Sequence, residues 1–338
     1  MRNLFFVLLV LWVVRAPRAA SEEPLPTASG ATAPLTAPLS ELKLSHALIL
    51  GLVEGVTEFI PISSTGHLIL ITDLLDLDSN QPLFDASGAP LWHRKASTRH
   101  RGELLTINLA TQAYIVVIQF GAIAAVFPIC WSQLMSMFRG ALGRDPRGRR
   151  LLINLGIAFV PAAFIGLLAH DWIDENLYSV NAVIFALVAG SFLMFFAERW
   201  RLRQSQRGFQ EVTELTPFGA AGIGILQCLA MWPGTSRPMM TIVGGYFAGL
   251  NPGSAAGFSF LLGFVTLSAA SIYKTYQSGG LILEVFGWQN VLIGTAVAGV
   301  TAAISVRFFV KMLLRSGLAP FAWYRIALAG FLAMFFYR

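Results

Sequence analysis

Of the 338 residues, 55% are hydrophobic and only 12% charged, and the mean hydropathy is +0.64. That balance excludes an ordinary soluble enzyme and points to a polytopic membrane protein, all-α because its apolar runs have the roughly twenty residues that a spanning helix needs. The net charge of +6 comes from arginine-rich connections between apolar runs, which an anionic cytoplasmic surface attracts, so no nucleic acid is needed as a partner.

Residues 1–20 carry an early arginine, an apolar run and then small residues, the pattern of a signal-like leader or an uncleaved anchor. Residues 21–43 are rich in Pro, Ala, Ser and Thr and read as a disordered linker. The membrane domain is expected over 44–338.

Its first element is the stretch around GLVEGVTEFIPISSTGHLIL, residues 51–70. Glu54 and Glu58 are four apart and share one face of a helix that Pro61 ends. A hydroxyl-rich turn follows, and the apolar pattern resumes at His67. Each arm is too short for a bilayer core of about 30 Å, so the stretch predicts a re-entrant helical hairpin with a polar tip. A polar, basic insertion over 78–103, with His93, Arg94, Lys95, Arg99, His100 and Arg101, reads as a solvated loop. Six spans are expected near 105–127, 151–170, 178–197, 255–276, 288–306 and 318–337. Cys130 and Cys228 fall in apolar segments without metal or disulfide spacing.

The arginines between the first and second spans, after the third and before the sixth all fall on one side, which should be cytoplasmic. The basic 94–101 stretch lies on the other side and runs against that bias.

Residues 217–250, between the third and fourth spans, predict a second interrupted hairpin. Three spans separate the two hairpins, so the second enters from the opposite face. The result is an inverted repeat, about 44–200 and 215–338, with two tips meeting near the bilayer midplane. Matching Pro61 to Pro233 sets Ser63 against Thr235, Ser64 against Ser236 and Thr65 against Arg237.

Arg237 is the only arginine or lysine in the second hairpin, and its planar fork suits a phosphate, with backbone N–H groups after Gly234 as added donors. Glu54 and Glu58 repel phosphate but could hold a divalent cation that bridges to it; oxygen-only ligation favours Mg²⁺ or Ca²⁺. Ser63, Ser64, Thr65 and Ser236 offer hydroxyls, Gln227 an amide, and His67 a base, acid or nucleophile. These are the parts of a phosphoryl-transfer site. The plainer alternatives are a proton or cation relay, helix caps, and an ion pair between Arg237 and a glutamate that ties the hairpins together.

EGVTEFIPISSTGH and QCLAMWPGTSRP resemble the two motif regions of the undecaprenyl-diphosphatase family, the bacitracin-resistance phosphatases, over about 44–338. The resemblance implies a multi-pass bacterial inner-membrane enzyme that hydrolyses undecaprenyl diphosphate to the monophosphate. It thereby recycles the carrier for peptidoglycan and other cell-wall polymers and confers bacitracin resistance. It implies Glu54 and Glu58 as the acidic pair for metal and catalysis, Ser64 as the essential hydroxyl, His67 as the catalytic histidine and Arg237 as the phosphate ligand. The partners would be a polyprenyl diphosphate and the bilayer, with homodimer formation open and the site facing the periplasm. A flippase or transporter on the same inverted-repeat scaffold is the rival from another class. The chain departs from the family's SRSG with Ser236, Arg237, Pro238 and Met239, which removes a backbone N–H just after the arginine.

Overall fold

The computed structural model describes residues 42–84, 89–94, 102–177, 179–204 and 210–337. The leader, nearly all of the linker, and Lys95, Arg99, His100 and Arg101 of the insertion lie outside the described residues.

Helices α1 (Leu44–Thr57) and α2 (Ser64–Leu74) form the first hairpin. The described part of the insertion is not an irregular loop: β1 (Trp92–Arg94) pairs antiparallel with β2 (Glu103–Leu104), and Leu83, Leu91 and Leu105 exchange backbone hydrogen bonds beside them. Leu83 and Leu91 pack, with the buried Leu105, on the cluster that includes Leu50 and Tyr114, which is why this segment orders. Helix α3 (Ile107–Ile129), the short α4 (Trp131–Ala141), α5 (Pro146–Leu177) and α6 (Val180–Gln204) complete the first half.

The second half starts with α7 (Pro217–Leu229) and α8 (Arg237–Phe247), then α9 (Pro252–Ser316) and α10 (Ala319–Phe336). Helix α9 is two spans in one element, kinked at Gly287, whose φ of 74° leaves the helical region. Six helical stretches are long and apolar enough to cross a bilayer: Ile107–Ile129, Pro146–Ala169, Val180–Gln204, Pro252–Tyr276, Val285–Ser316 and Ala319–Phe336. These are the six expected spans, and the protein is a multi-pass membrane protein. The hairpin arms are shorter, 14 and 11 residues in the first and 13 and 11 in the second, so none reaches across the core alone.

What seats the first hairpin is the small-residue face of α1. A Cβ on Gly51 would lie 2.6 Å from the Gly294 carbonyl oxygen, and one on Gly55 2.3 Å from that of Ala298. The backbones of α1 and α9 therefore approach closely, as in small-xxx-small helix packing. Hairpin two packs instead on α5, α6 and α9.

Candidate active site

The tips are built alike. Ser63 caps α2 with φ 75°, its Oγ accepting from the Gly66 N–H at 3.1 Å; Ser236 caps α8 with φ 73°, its Oγ accepting from the Met239 N–H at 3.5 Å. These are non-glycine residues in the left-handed region, a conformation that persists only where surroundings hold it. The equivalence corrects the register read from the prolines: Ser63 matches Ser236, Ser64 matches Arg237, and the same register pairs Leu44 with Pro217 and Leu74 with Phe247. Shared backbone geometry, not proline position, defines the repeat.

Glu54 and Glu58 are one turn apart at the end of α1, 1% and 6% exposed. Glu54 Oε1 accepts from Gln119 Nε2 of α3 at 2.9 Å, and Gln119 Oε1 in turn takes the Ser271 hydroxyl of α9 at 3.5 Å. Glu54 Oε2 has no protein partner although it is buried. Glu58 Oε2 accepts from Ser64 Oγ at 2.8 Å, and its Oε1 lies 3.7 Å from Arg237 Nη2. Arg237 Nη1 is also buried without a partner. Two carboxylates and one guanidinium leave the centre one charge short of neutrality when all are ionised, which low-dielectric surroundings penalise.

The tips enclose a cavity of about 60 Å³, with Glu58, Ser63, Ser64, Thr65, Ser236 and Arg237 on its wall and Ala230, Trp232, Gly234 and Pro238 completing it. It has room for about four waters, or one phosphoryl group. The N–H groups of Ser64 and Thr65 open α2 and precede its first intrahelical bond, so hairpin one offers an anion both amides and hydroxyls. In hairpin two Pro238 supplies no N–H and the Met239 N–H is taken by Ser236, leaving the guanidinium as the principal donor. A larger cavity of about 360 Å³ lies between Gly143, Arg149, Asn154 and Pro217, away from the acidic pair.

Not every expected residue reaches the cavity. Glu54 stands behind Glu58. Gln227 is buried with both amide atoms unpartnered and does not line the cavity. His67 also lies off the wall, its Nδ1 2.7 Å from the Ser63 carbonyl oxygen and its Nε2 2.7 Å from the Tyr324 hydroxyl.

Gln119, inside α3, binds Glu54, and Glu198 caps the start of α10, accepting from the Leu318 N–H. Tyr324 and Arg325 escaped the sequence reading. Arg325 is 0% exposed and donates to the carbonyls of Ala186, Gly234 and Thr235. An arginine inside the last apolar run was the available signal.

The chain is matched over residues 47–331, which hold both carboxylates, Ser64 and Arg237, by a family model described as Bacitracin resistance protein BacA. The chain belongs to this family. It is 40% identical over 283 residues to an undecaprenyl-diphosphatase of Sorangium cellulosum, covering 83% of each chain. It is 38% identical over 288 residues to undecaprenyl-diphosphatase 2 of Rhodospirillum rubrum, covering 84% of this chain and 92% of that one. With the undecaprenyl-diphosphatase of Novosphingobium aromaticivorans the identity is 36% over 291 residues, 85% and 96% of the two chains. Both hairpins and all six spans fall within or largely within the matched region.

For a divalent cation the donor chemistry fits in part. Among the described residues no group of three or more His, Cys, Asp and Glu side chains is placed to share a metal. The free Glu54 Oε2 and the neighbouring Glu58 carboxylate are hard oxygens of the kind Mg²⁺ accepts from one or two carboxylates, with phosphate and water completing its shell.

Proposed function

We propose that this protein is an undecaprenyl-diphosphate phosphatase of the bacterial inner membrane, releasing inorganic phosphate and returning undecaprenyl phosphate to cell-wall synthesis. The observation that carries the reading is the contact chain Ser64–Glu58–Arg237: a hydroxyl already donating to a carboxylate, with a guanidinium from the other tip beside that carboxylate. Nucleophile, base and anion ligand thus meet at one phosphoryl-sized cavity.

In the first step Ser64 Oγ attacks the terminal phosphorus while its proton passes to Glu58. The bond from that phosphorus to the bridging oxygen breaks, and the lipid monophosphate leaves with the electron pair. Arg237 Nη1 and the Ser64 and Thr65 amides stabilise the charge on the equatorial oxygens. Glu58 passes the Ser64 proton to the departing lipid monophosphate; in the second step it takes a proton from the water that attacks the phosphoserine and, as the P–Oγ bond breaks, delivers it to Ser64 Oγ, yielding inorganic phosphate and the free serine. Glu54, held by Gln119, would join Glu58 in holding a Mg²⁺ or Ca²⁺ ion. Such an ion supplies Lewis-acid polarisation of the diphosphate and offsets the excess negative charge.

The cavity admits the headgroup alone, so the isoprenoid tail lies in the bilayer beside the hairpins. The arginine-rich connections favour a periplasmic opening for the first hairpin.

The test is phosphate release from undecaprenyl diphosphate by detergent-purified protein, with and without chelator, for wild type, Glu58→Gln and Arg237→Ala. Release that requires added Mg²⁺ or Ca²⁺ and falls at least about 10²-fold in both variants supports the reading. Folded wild type that releases no phosphate with either ion sinks it and directs attention to lipid transport in vesicles.

A further inference from the structure

The Ser63 carbonyl oxygen takes a hydrogen bond from a side chain the reaction above does not use. Ser63 has φ 75° and ψ 99°, and Ser64, the next residue, must point at Glu58. The Ser63 carbonyl oxygen can only accept, so at 2.7 Å the His67 Nδ1 must carry the hydrogen. In a neutral imidazole Nε2 is then an acceptor, and the Tyr324 hydroxyl 2.7 Å away donates to it. The two rings are parallel to within 8°, with centroids 5.7 Å apart.

Both nitrogens are thereby engaged, and neither remains to attack phosphorus or to take the Ser64 proton. The matching position in hairpin two is Met240, which brings only its backbone N–H to the Ser236 carbonyl. There the brace is Arg325, donating from Nη1 and Nη2 to the Thr235 and Gly234 carbonyls at 3.1 Å each. Consecutive residues of α10 therefore secure the two tips.

We propose that Tyr324 and His67 form a positioning pair: the phenol commits the imidazole to one tautomer, and its Nδ1–H braces Ser63 so that Ser64 is held against Glu58. The kinetic consequence rests on the diphosphatase reading. The tautomer does not.

The chain has five histidines, so ¹⁵N-histidine labelling of the full protein in detergent gives a countable spectrum, and the signal lost in His67→Asn is that of His67. The expected result is a ring protonated at Nδ1 and bare at Nε2, which Tyr324→Phe converts to a mixture of tautomers. A ring protonated at Nε2, or a spectrum unmoved by Tyr324→Phe, overturns the pairing.

Kinetics supply the second arm. His67→Asn keeps a short N–H donor where Nδ1 stood but offers neither base nor nucleophile. We expect His67→Ala to lower kcat about 100-fold with little change in KM, and His67→Asn to recover about tenfold of that loss. Tyr324→Phe should lower kcat about fivefold in the wild-type background and add nothing in His67→Asn. His67→Asn as inactive as His67→Ala would show that ring chemistry is required and end the proposal. Wild type that shows the expected tautomer yet releases no phosphate would remove the diphosphatase reading and leave the pair standing.

Discussion

Matched at their N-cap serines, Ser63 and Ser236, the two hairpin tips align Glu54 with Gln227, Glu58 with Met231 and Ser64 with Arg237. The backbone is the same on both sides: a short apolar helix, a turn ending in a left-handed serine, and an 11-residue helix capped by that serine's hydroxyl. The side chains differ in charge. Hairpin one carries the two carboxylates and the Ser64 hydroxyl, and hairpin two carries the Arg237 guanidinium. The difference teaches that the repeated unit is a way of bringing a helix N-terminus to a shared cavity, and that the site arises from loading the two copies with complementary chemistry. Neither tip could bury its charge alone at tolerable cost, because a lone carboxylate pair or a lone guanidinium in low dielectric is penalised by several kcal/mol.

That division of labour can be broken from the largest effect downward. Ser64→Ala removes the proposed nucleophile while leaving the cavity and its charges, and should reduce phosphate release by about 10⁴-fold or more in protein that elutes and melts like wild type. Retained activity would move the attack to water.

Glu54→Gln makes hairpin one resemble hairpin two at the matched position. It should cost about 10²-fold in kcat and blunt the response to chelator, with titration of Mg²⁺ against activity as the readout. An unchanged metal titration would separate Glu54 from the cation.

Pro238→Ser restores an N–H beside Arg237 and gives hairpin two some of the amide donors that hairpin one already has. KM should fall about tenfold, the lower end of the worth of one added hydrogen bond to a charged group. No change would mean that the phosphate is held by hairpin one and the guanidinium alone.

The smallest effect compares the caps. Ser63→Ala should destabilise by about 1 kcal/mol, and Ser236→Ala, whose bond to the Met239 N–H is longer, by less, both seen as shifts in thermal unfolding in detergent. Equal losses would show that both caps are equally strained.

The sequence by itself determined the six spans, the two hairpins and most of the residues at their tips. Apolar run length against bilayer thickness is a local property, and a charge inside such a run stands out against everything around it. Glu54, Glu58 and Arg237 were legible for that reason. Only the tertiary structure decided the rest. The repeat's register was misread because proline marks where a helix ends, whereas the match lies in the φ of Ser63 and Ser236, which no residue type announces. The partners of Glu54 and His67, Gln119 and Tyr324, lie 65 and 257 residues away, and a polar residue in an apolar helix does not reveal which distant neighbour it will meet. Only packing could decide that of the groups near the tips Ser64 reaches Glu58 while His67 turns to Ser63 and Tyr324. Hydrogen-bond partnership depends on distances of a few tenths of an ångström between chain segments, and those are set by how the helices pack together.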